Sequence, residues 1–259
     1  PATDDALKSR VAEALGIEDR WPIQREAFVQ WVIEDSMRGP QPDWAAVGVT
    51  VTNDVAGFER AKLRLLNGAH STLAYVGSLA GLETVYGAIS NPDLDRFVQR
   101  LMREDFRASL KPIQGLDLDR YIDAVLGRFR NPAIRHLLAQ IAWDGSQKLP
   151  FRILNTIVEA LEAGRPIDRM CMPIAAWFHF VRRKANQGEA ITDPMADTLS
   201  ELGRRSTGNA NDDVQALLAL PRFWPTQLQN NEHVRSALVR AYERLASVQS
   251  ASDLKAALE

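Results

Sequence analysis

The sequence predicts a mainly α-helical protein with a short two-stranded segment near its start. Three observations support this fold class. From Val55 onward, apolar residues recur at spacings of three and four, which is the pattern of a buried helix face. Gly, Pro and Asn interrupt these runs where helices would begin and end. Before Val55, two runs are instead rich in the β-branched and aromatic residues that favour strands.

One short helix is predicted at the start of the chain, over residues 4–15. Thr3 can cap its first turn, and Asp4 and Asp5 favour the positive end of the helix dipole. Gly16 follows the last apolar residue of the run and can adopt the left-handed conformation that ends a helix.

Two strands are predicted next, over residues 30–34 and 47–52, with a Gly- and Pro-containing loop between them. Two strands make a poor sheet in isolation. We therefore expect them to be the end of a larger sheet whose other strands precede Pro1.

Nearly all of the chain after Val55 is predicted to be helical. In the first of these helices, Phe58 and Leu65 belong to an apolar stripe that continues to Val76. Residues 169–183 form a strongly apolar run and are expected to be the central buried helix. The other predicted helices cover residues 91–110, 117–129, 132–143, 153–161 and 231–246.

Composition argues against several function classes. The formal net charge of −2 gives no sign of the excess positive charge that binds nucleic acid or an anionic membrane. No apolar run approaches the ~20 residues of a membrane span. The single cysteine, Cys171, rules out an internal disulfide and fits a reducing cytoplasm. No cluster of Cys and His residues has the spacing of metal ligands. We therefore expect a cytoplasmic protein that binds no nucleic acid, membrane or metal.

One group of polar residues contains most of the side chains that can take part in catalysis. Lys62, Asn67 and His70 lie in a single helical run, and at about 100° per residue they share one sector beside the apolar stripe. Glu59 falls in the same sector. A lysine amine can act as a general acid or base. Asn67 can donate to an alkoxide-like oxygen, and His70 can orient a hydroxyl.

Plainer interpretations compete with these roles. A lone lysine on a helix is usually a solvated charge, and Asn-Gly within a helical run usually marks a bend or an end. Glu59 can relay the proton of Lys62 or merely pair with it. His179, between aromatic residues, is more typical of a satisfied core histidine than of a ligand. The acidic groups at 117–119 and 211–213 are expected to cap helices rather than to form carboxylate dyads.

A family resemblance is carried by residues 59–77, Glu-Arg-Ala-Lys-Leu-Arg-Leu-Leu-Asn-Gly-Ala-His-Ser-Thr-Leu-Ala-Tyr-Val-Gly. This segment resembles the Lys-x4-Asn-x2-His signature of the mannitol dehydrogenase family, the polyol-specific long-chain dehydrogenases and reductases. The resemblance also covers residues 28–35, 128–132 and 144–150, so it spans most of the chain.

The resemblance implies a reaction and a role for each matching residue. The family catalyses metal-independent hydride transfer between NAD(H) and a secondary alcohol or ketone of an open-chain sugar derivative. By this resemblance Lys62 is the general base in oxidation and the general acid in reduction. Asn67 is an oxyanion-stabilising donor, His70 orients the substrate, and Lys148 binds it. The implied fold is multi-helical and similar to the C-terminal domain of 6-phosphogluconate dehydrogenase.

Within the family, the stretch beginning at Gln140 is similar to the fructuronate reductase branch, which interconverts D-mannonate and D-fructuronate. Mannitol-oxidising members tend to carry Arg where this chain has Gln140, and the Trp143 position also varies. A sugar-acid substrate needs a cationic partner, for which Arg128, Lys148 and Arg152 are candidates. We therefore expect Gln140, Arg128 and Lys148 to bind substrate.

Two alternatives stay open at this point. The chain can instead belong to a mannitol 2-dehydrogenase, which interconverts mannitol and fructose. It can also be a non-catalytic helical binding module that keeps the family's residues. Each of the candidate cations can equally be an ordinary surface charge.

One feature of the family is missing from the sequence. The family begins with a dinucleotide-binding domain whose Gly-rich turn holds the pyrophosphate, and this chain contains no G-x-G-x-x-G. We therefore expect residues 1–54 to be the remnant of a Rossmann-type nucleotide-binding domain and 55–259 to be the helical substrate and catalytic domain. NAD would be bound mainly by the missing N-terminal Rossmann domain, a partner without which the chain is expected to be inactive.

Overall fold

A computed structural model describes residues 3–259 and confirms the mainly helical fold class, with a two-stranded sheet near the start. The chain forms two compact units, of which the first ends at Asn53 and the second spans Asp54–Glu259. Within the described residues, every helix is too short or too polar to cross a membrane.

In the first unit, helix α1 covers Asp5–Leu15. The side chain of Asp4 caps it by accepting a 2.8 Å hydrogen bond from the backbone N–H of Leu7. The cap predicted at Thr3 is wrong, because the Thr3 hydroxyl donates to a carbonyl oxygen 19 residues further along the chain. Gly16 ends the helix in the left-handed conformation, with a φ of 70°.

The two strands of this unit are β1 (Val32–Glu34) and β2 (Thr50–Thr52), which pair in parallel along all three residues. Both are shorter than predicted. A 3-10 turn at Ala45–Val47 and a left-handed Gly48, with a φ of 83°, take the start of the second predicted strand out of the extended conformation.

The second unit is built almost entirely from helices. Its α-helices are α2 (Val55–Ala61), α3 (Ala69–Leu79), α4 (Val85–Ser90), α5 (Pro92–Arg100), α6 (Leu118–Phe129), α7 (Leu138–Ile141), α8 (Gly145–Leu149), α9 (Asn155–Glu162), α10 (Asp168–Asn186), α11 (Ala196–Arg205), α12 (Ala210–Leu218), α13 (Thr226–Gln229), α14 (Glu232–Leu245) and α15 (Leu254–Leu258). Short 3-10 turns follow at Arg107–Ser109 and Ala251–Asp253.

Side-chain caps set several of the predicted helix starts. The carboxamide or carboxylate oxygens of Asn91, Asp117 and Asn231 accept hydrogen bonds from the first free N–H groups of α5, α6 and α14. These are residue types that favour the N-cap position because their short side chains reach those N–H groups. The predicted starts of these three helices are thereby confirmed.

Three of the long helical runs contain a wider, π-helical turn. These turns are π1 (Lys62–Gly68), π2 (Leu101–Phe106) and π3 (Pro150–Leu154). They meet one another at Gly68, because a Cβ added there would lie 2.8 Å from Cε2 of Phe106 and 3.3 Å from the carbonyl oxygen of Arg152. Glycine is therefore needed at this position for the segments to approach so closely.

Helix α10 is the centre of the second unit, as its apolar run predicts. It packs against α3, α11 and α14. Trp177 and Phe178 on this helix are almost completely buried, and so is Cys171. The His179 ring stacks on Tyr242 with 3.9 Å between centroids, and its Nε2 lies 2.9 Å from the Tyr242 carbonyl oxygen. His179 is therefore a satisfied core histidine.

The helix predicted over residues 132–143 is wrong, since only α7 is helical there. The preceding residues instead pair with the loop before α4. The His136 carbonyl accepts a 3.0 Å hydrogen bond from Val85 N, and the N–H of Leu138 donates 2.9 Å to the carbonyl of Glu83. These long-range bonds replace the i to i−4 bonds that a helix would need.

The predicted cap at residues 211–213 is also wrong. Asn209 caps α12 by accepting hydrogen bonds from the N–H groups of Asn211 and Asp212, at 2.9 and 3.2 Å. Asp213 lies inside the helix and is buried.

Candidate functional site

The predicted catalytic residues lie on one continuous helical run formed by α2, π1 and α3. Lys62 begins π1, Asn67 lies near its end, and His70 is in the first turn of α3. A π-helical turn closes i to i+5 hydrogen bonds, so it holds more residues than the about 3.6 of an α-helix. The angular positions predicted at 100° per residue are therefore wrong over π1.

Lys62 is an exposed side chain. Within the described residues it forms no ion pair with Glu59 or with any other acid. Of the two roles considered for Glu59, the ion pair with Lys62 is therefore not formed within the described residues. The Lys62 side chain is therefore accessible to a ligand.

His70 is set in an apolar and cationic surrounding. Its ring lies 4.6 Å from the Phe129 ring and 6.3 Å from the His136 ring, measured between centroids. Burial, with smaller contributions from the nearby charges of His136, Arg152 and Arg128, lowers the pKa of His70 to about 3. The imidazole is thus neutral at pH 7. Its buried Nε2 has no hydrogen-bond partner among residues 3–259.

Arg152, on π3, joins its own helix to the one that carries Asn67 and His70. Its Nη1 donates to Oγ of Ser71 at 3.0 Å and approaches the carbonyl oxygen of Asn67 at 3.5 Å. Burial lowers the pKa of the guanidinium. It remains cationic because an arginine in a protein is always protonated at neutral pH.

Lys148 lies one helical turn before Arg152, on α8. Its Nζ donates a 2.7 Å hydrogen bond to the Trp143 carbonyl and lies 3.7 Å from Oδ2 of Asp144. Burial lowers the pKa of Lys148, and the charge of Arg152 adds to this effect. The amine is therefore held in place while part of it remains accessible.

The other two predicted substrate-binding residues differ in their surroundings. Arg128, on α6, is half-buried and near enough to His70 to depress the pKa of that imidazole. Gln140, on α7, is exposed, and so is Trp143. The structure therefore brings Asn67 and His70 together with Arg152, and His70 near Arg128, while Lys62 and Gln140 remain exposed.

Residues for which no role is predicted complete the surroundings. The Tyr75 hydroxyl donates a 3.1 Å hydrogen bond to the Ala142 carbonyl. Asp193 accepts hydrogen bonds from both the N–H and the hydroxyl of Ser146, and so fixes the start of α8. Asp193 is 47 residues from Ser146, and no local pattern in the sequence links the two. Hydrogen bonds between residues so far apart cannot be predicted from local sequence patterns.

A surface cavity of about 860 Å³ lies beside the group formed by Lys62, Asn67 and His70 rather than at it. Its walls include Glu59, Phe151 and the ion pair of Arg64 with Glu159, but not Lys62 or His70. Arg64 is buried and makes two hydrogen bonds to the Glu159 carboxylate, at 2.7 and 2.5 Å. This pair holds π1 against α9. In the described part of the chain, no group of three His, Cys, Asp or Glu residues is placed to hold a metal ion.

Comparison with known proteins shows the family to which the chain belongs. Residues 54–246 match the family described as the mannitol dehydrogenase C-terminal domain. A mannitol 2-dehydrogenase of Aspergillus niger is 37% identical over 251 residues, which are 95% of this chain and 51% of that protein. A D-mannonate oxidoreductase of Escherichia coli K12 is 37% identical over 247 residues, 95% of this chain and 50% of that protein.

Solved structures show the same relationship. A mannitol 2-dehydrogenase of Pseudomonas fluorescens, in a ternary complex with NAD and D-mannitol, superposes with a TM-score of 0.85 at 32% identity. That match covers 98% of this chain and 51% of the other. A substrate-free D-sorbitol dehydrogenase superposes with a TM-score of 0.86 at 26% identity, covering 100% and 52%. The chain spans about half the length of these relatives. It belongs to the mannitol dehydrogenase family and carries the family's C-terminal domain.

Proposed function

We propose that this chain is the substrate domain of an NAD-dependent dehydrogenase that interconverts D-mannonate and D-fructuronate. The observation that supports it most is the setting of His70. A neutral imidazole, whose buried Nε2 has no hydrogen-bond partner within the described residues, lies three residues from Asn67 and near Arg128 and Arg152. Such a nitrogen can hydrogen-bond a substrate hydroxyl, while the cations attract a carboxylate.

Lys62 is proposed to move the proton. In oxidation its neutral amine accepts the proton of the carbinol hydroxyl, and in reduction its ammonium returns a proton to the carbonyl oxygen. The amide N–H of Asn67 stabilises the alkoxide-like oxygen that develops between these states. His70 holds the same or the adjacent hydroxyl in place. Because Lys62 is exposed in this chain, the proposal requires bound substrate and a second domain to cover it.

NAD is proposed as the hydride acceptor, on the ground of the Pseudomonas fluorescens relative. The N-terminus of α2, the helix that leads to Lys62, does not fit the pyrophosphate of NAD. The first turn of α2 is already capped by Asp54, whose carboxylate accepts a 2.9 Å hydrogen bond from Gly57 N. A Cβ at Gly57 would lie 2.3 Å from Asp54 Oδ2, so no space is left for a phosphate there. We therefore assign NAD binding to an N-terminal Rossmann domain.

The sugar acid is preferred to a polyol because two cations, Lys148 and Arg128, can hold its carboxylate. Lys148 lies on α8 and is partly accessible, and Arg128 approaches His70 from α6. A mannitol 2-dehydrogenase is the second candidate, since relatives of that name share 37% identity with the chain. A reducing cytoplasm is the proposed location, because the one thiol, Cys171, is buried and free.

The test measures NADH formation by the complete protein that contains this chain, with D-mannonate and with D-mannitol. We expect kcat/KM for D-mannonate to exceed that for D-mannitol by at least about 10-fold, the discrimination that one charge-assisted contact provides. The reverse preference would support the mannitol 2-dehydrogenase. If the complete protein turned over neither alcohol, and neither ketone in the reverse direction, both candidate functions would be refuted. The chain alone is expected to form no NADH.

A further inference from the structure

We propose that Arg152 is a positioning residue that fixes the Asn67–His70 segment against the helix that carries Lys148. The inference rests on the proposed function for its consequence in catalysis. Arg152 acts through its hydrogen bonds to this chain rather than through the reacting atoms.

The first support is the placement of the two hydrogen-bond acceptors. Nη1 of Arg152 lies 3.0 Å from Ser71 Oγ and 3.5 Å from the Asn67 carbonyl oxygen. These two residues are four apart and lie on either side of the junction where π1 becomes α3. His70 lies between them. A single guanidinium nitrogen therefore spans the segment that holds both proposed substrate-contacting side chains.

The second support is the conformation of that segment. A π-helical turn is rare and is stable only where surrounding contacts determine it. Here the turn packs directly on π3, since a Cβ on Gly68 would come within 3.3 Å of the Arg152 carbonyl oxygen. The backbone of Arg152 thus contacts Gly68 while its side chain holds the residues on either side. Backbone and side chain together fix the wide turn.

The third support is the lack of a compensating ion pair. Burial lowers the pKa of Arg152. No carboxylate within residues 3–259 forms a salt bridge with it. A partly buried charge without an acidic partner is a net cost in folding free energy. Stability alone does not account for an arginine at this position, whereas a positioning role does.

The test compares three variants of the complete protein with a matched control. Arg152→Met keeps the length of the side chain and removes the donors. We expect its kcat to fall about 100-fold with D-mannonate and D-mannitol alike, with KM for NAD unchanged, because small displacements of catalytic groups cost this much. Arg152→Lys should recover part of the loss. Ser71→Ala removes one acceptor and should cost about 5-fold. Arg120→Met, at an exposed arginine of α6, should change nothing.

Hydrogen–deuterium exchange gives a readout that does not need activity. In Arg152→Met, amides of residues 66–72 should exchange at least about 10-fold faster than in the parent, while those of α10 keep their rates. If the parent has no dehydrogenase activity, the proposed function fails, and the exchange rates still decide this inference. Unchanged exchange with unchanged kcat would overturn it. So would a loss confined to KM for D-mannonate, since that indicates direct contact with the carboxylate.

Discussion

The phenol of Tyr242 donates a 2.6 Å hydrogen bond to Oδ2 of Asp213, a carboxylate that is only 2% exposed. The same carboxylate accepts hydrogen bonds from the backbone N–H groups of Thr207 at 2.9 Å and Gly208 at 3.0 Å. These three donors join the loop before α12 to α14. Burial and the Asp213 carboxylate raise the pKa of Tyr242, so the phenol stays protonated as a donor. Asp213 is therefore a structural group.

Tyr242→Phe should lower the free energy of unfolding by about 1–3 kcal/mol, because it removes one donor from a buried carboxylate. Urea unfolding of the second unit measures this loss. Tyr86→Phe is the matched control, since Tyr86 is 42% exposed and its hydroxyl makes no hydrogen bond within the described residues. Equal stability of the two variants would contradict the role given to Asp213.

Gly68→Ala should destabilise the protein by about 1–3 kcal/mol and lower its activity. The added Cβ would meet the buried ring of Phe106 at 2.8 Å, and the resulting shift would move π1 with Asn67. Gly127→Ala, inside α6, is the control, because a Cβ there meets nothing within 4 Å. That change should stabilise by about 0.5–1 kcal/mol, as alanine favours a helix. Thermal unfolding of both variants shows whether the signs differ as expected.

Acidification should destabilise the native state through His70. Its pKa is about 3 in the folded protein and about 6.5 when unfolded, so between these values the unfolded chain binds the proton and the native state does not. Stability is therefore lost as the pH falls below about 6.5. The loss between pH 7 and 5 is up to about 2 kcal/mol. His70→Asn should remove this part of the pH dependence in urea unfolding, and an unchanged slope would show that His70 is not buried neutral.

Lys148→Met should discriminate between an acidic and a neutral substrate. A carboxylate loses a hydrogen bond in which both partners are charged, about 3 kcal/mol, whereas a hydroxyl loses one in which only the donor is charged, about 1.5 kcal/mol. We expect kcat/KM to fall about 100-fold for D-mannonate and about 10-fold for D-mannitol. Lys255→Met, at an exposed lysine of α15, is the control. An equal loss for both substrates would place the carboxylate elsewhere.

Local sequence patterns predict much of the fold but only part of the candidate site. Apolar periodicity is enough to find α10, and side-chain oxygens at Asp117 and Asn231 are enough to find two helix starts. Residues 132–137 are not predicted correctly because the carbonyl of His136 bonds to the distant N–H of Val85. The π-helical turn π1 is not predicted either, because the turn depends on packing at Gly68. The helical wheel can thus identify the candidate residues but not their angular positions.

The measurement that tests the central claim most directly is kcat of Lys62→Met in the complete protein. Loss of the general acid or base should lower kcat with D-mannonate by about 10²–10⁴-fold. The melting temperature should not change, because Lys62 is exposed and forms no ion pair within the described residues. Lys255→Met should retain full activity. A Lys62→Met enzyme with kcat within about 3-fold of the parent would contradict the account.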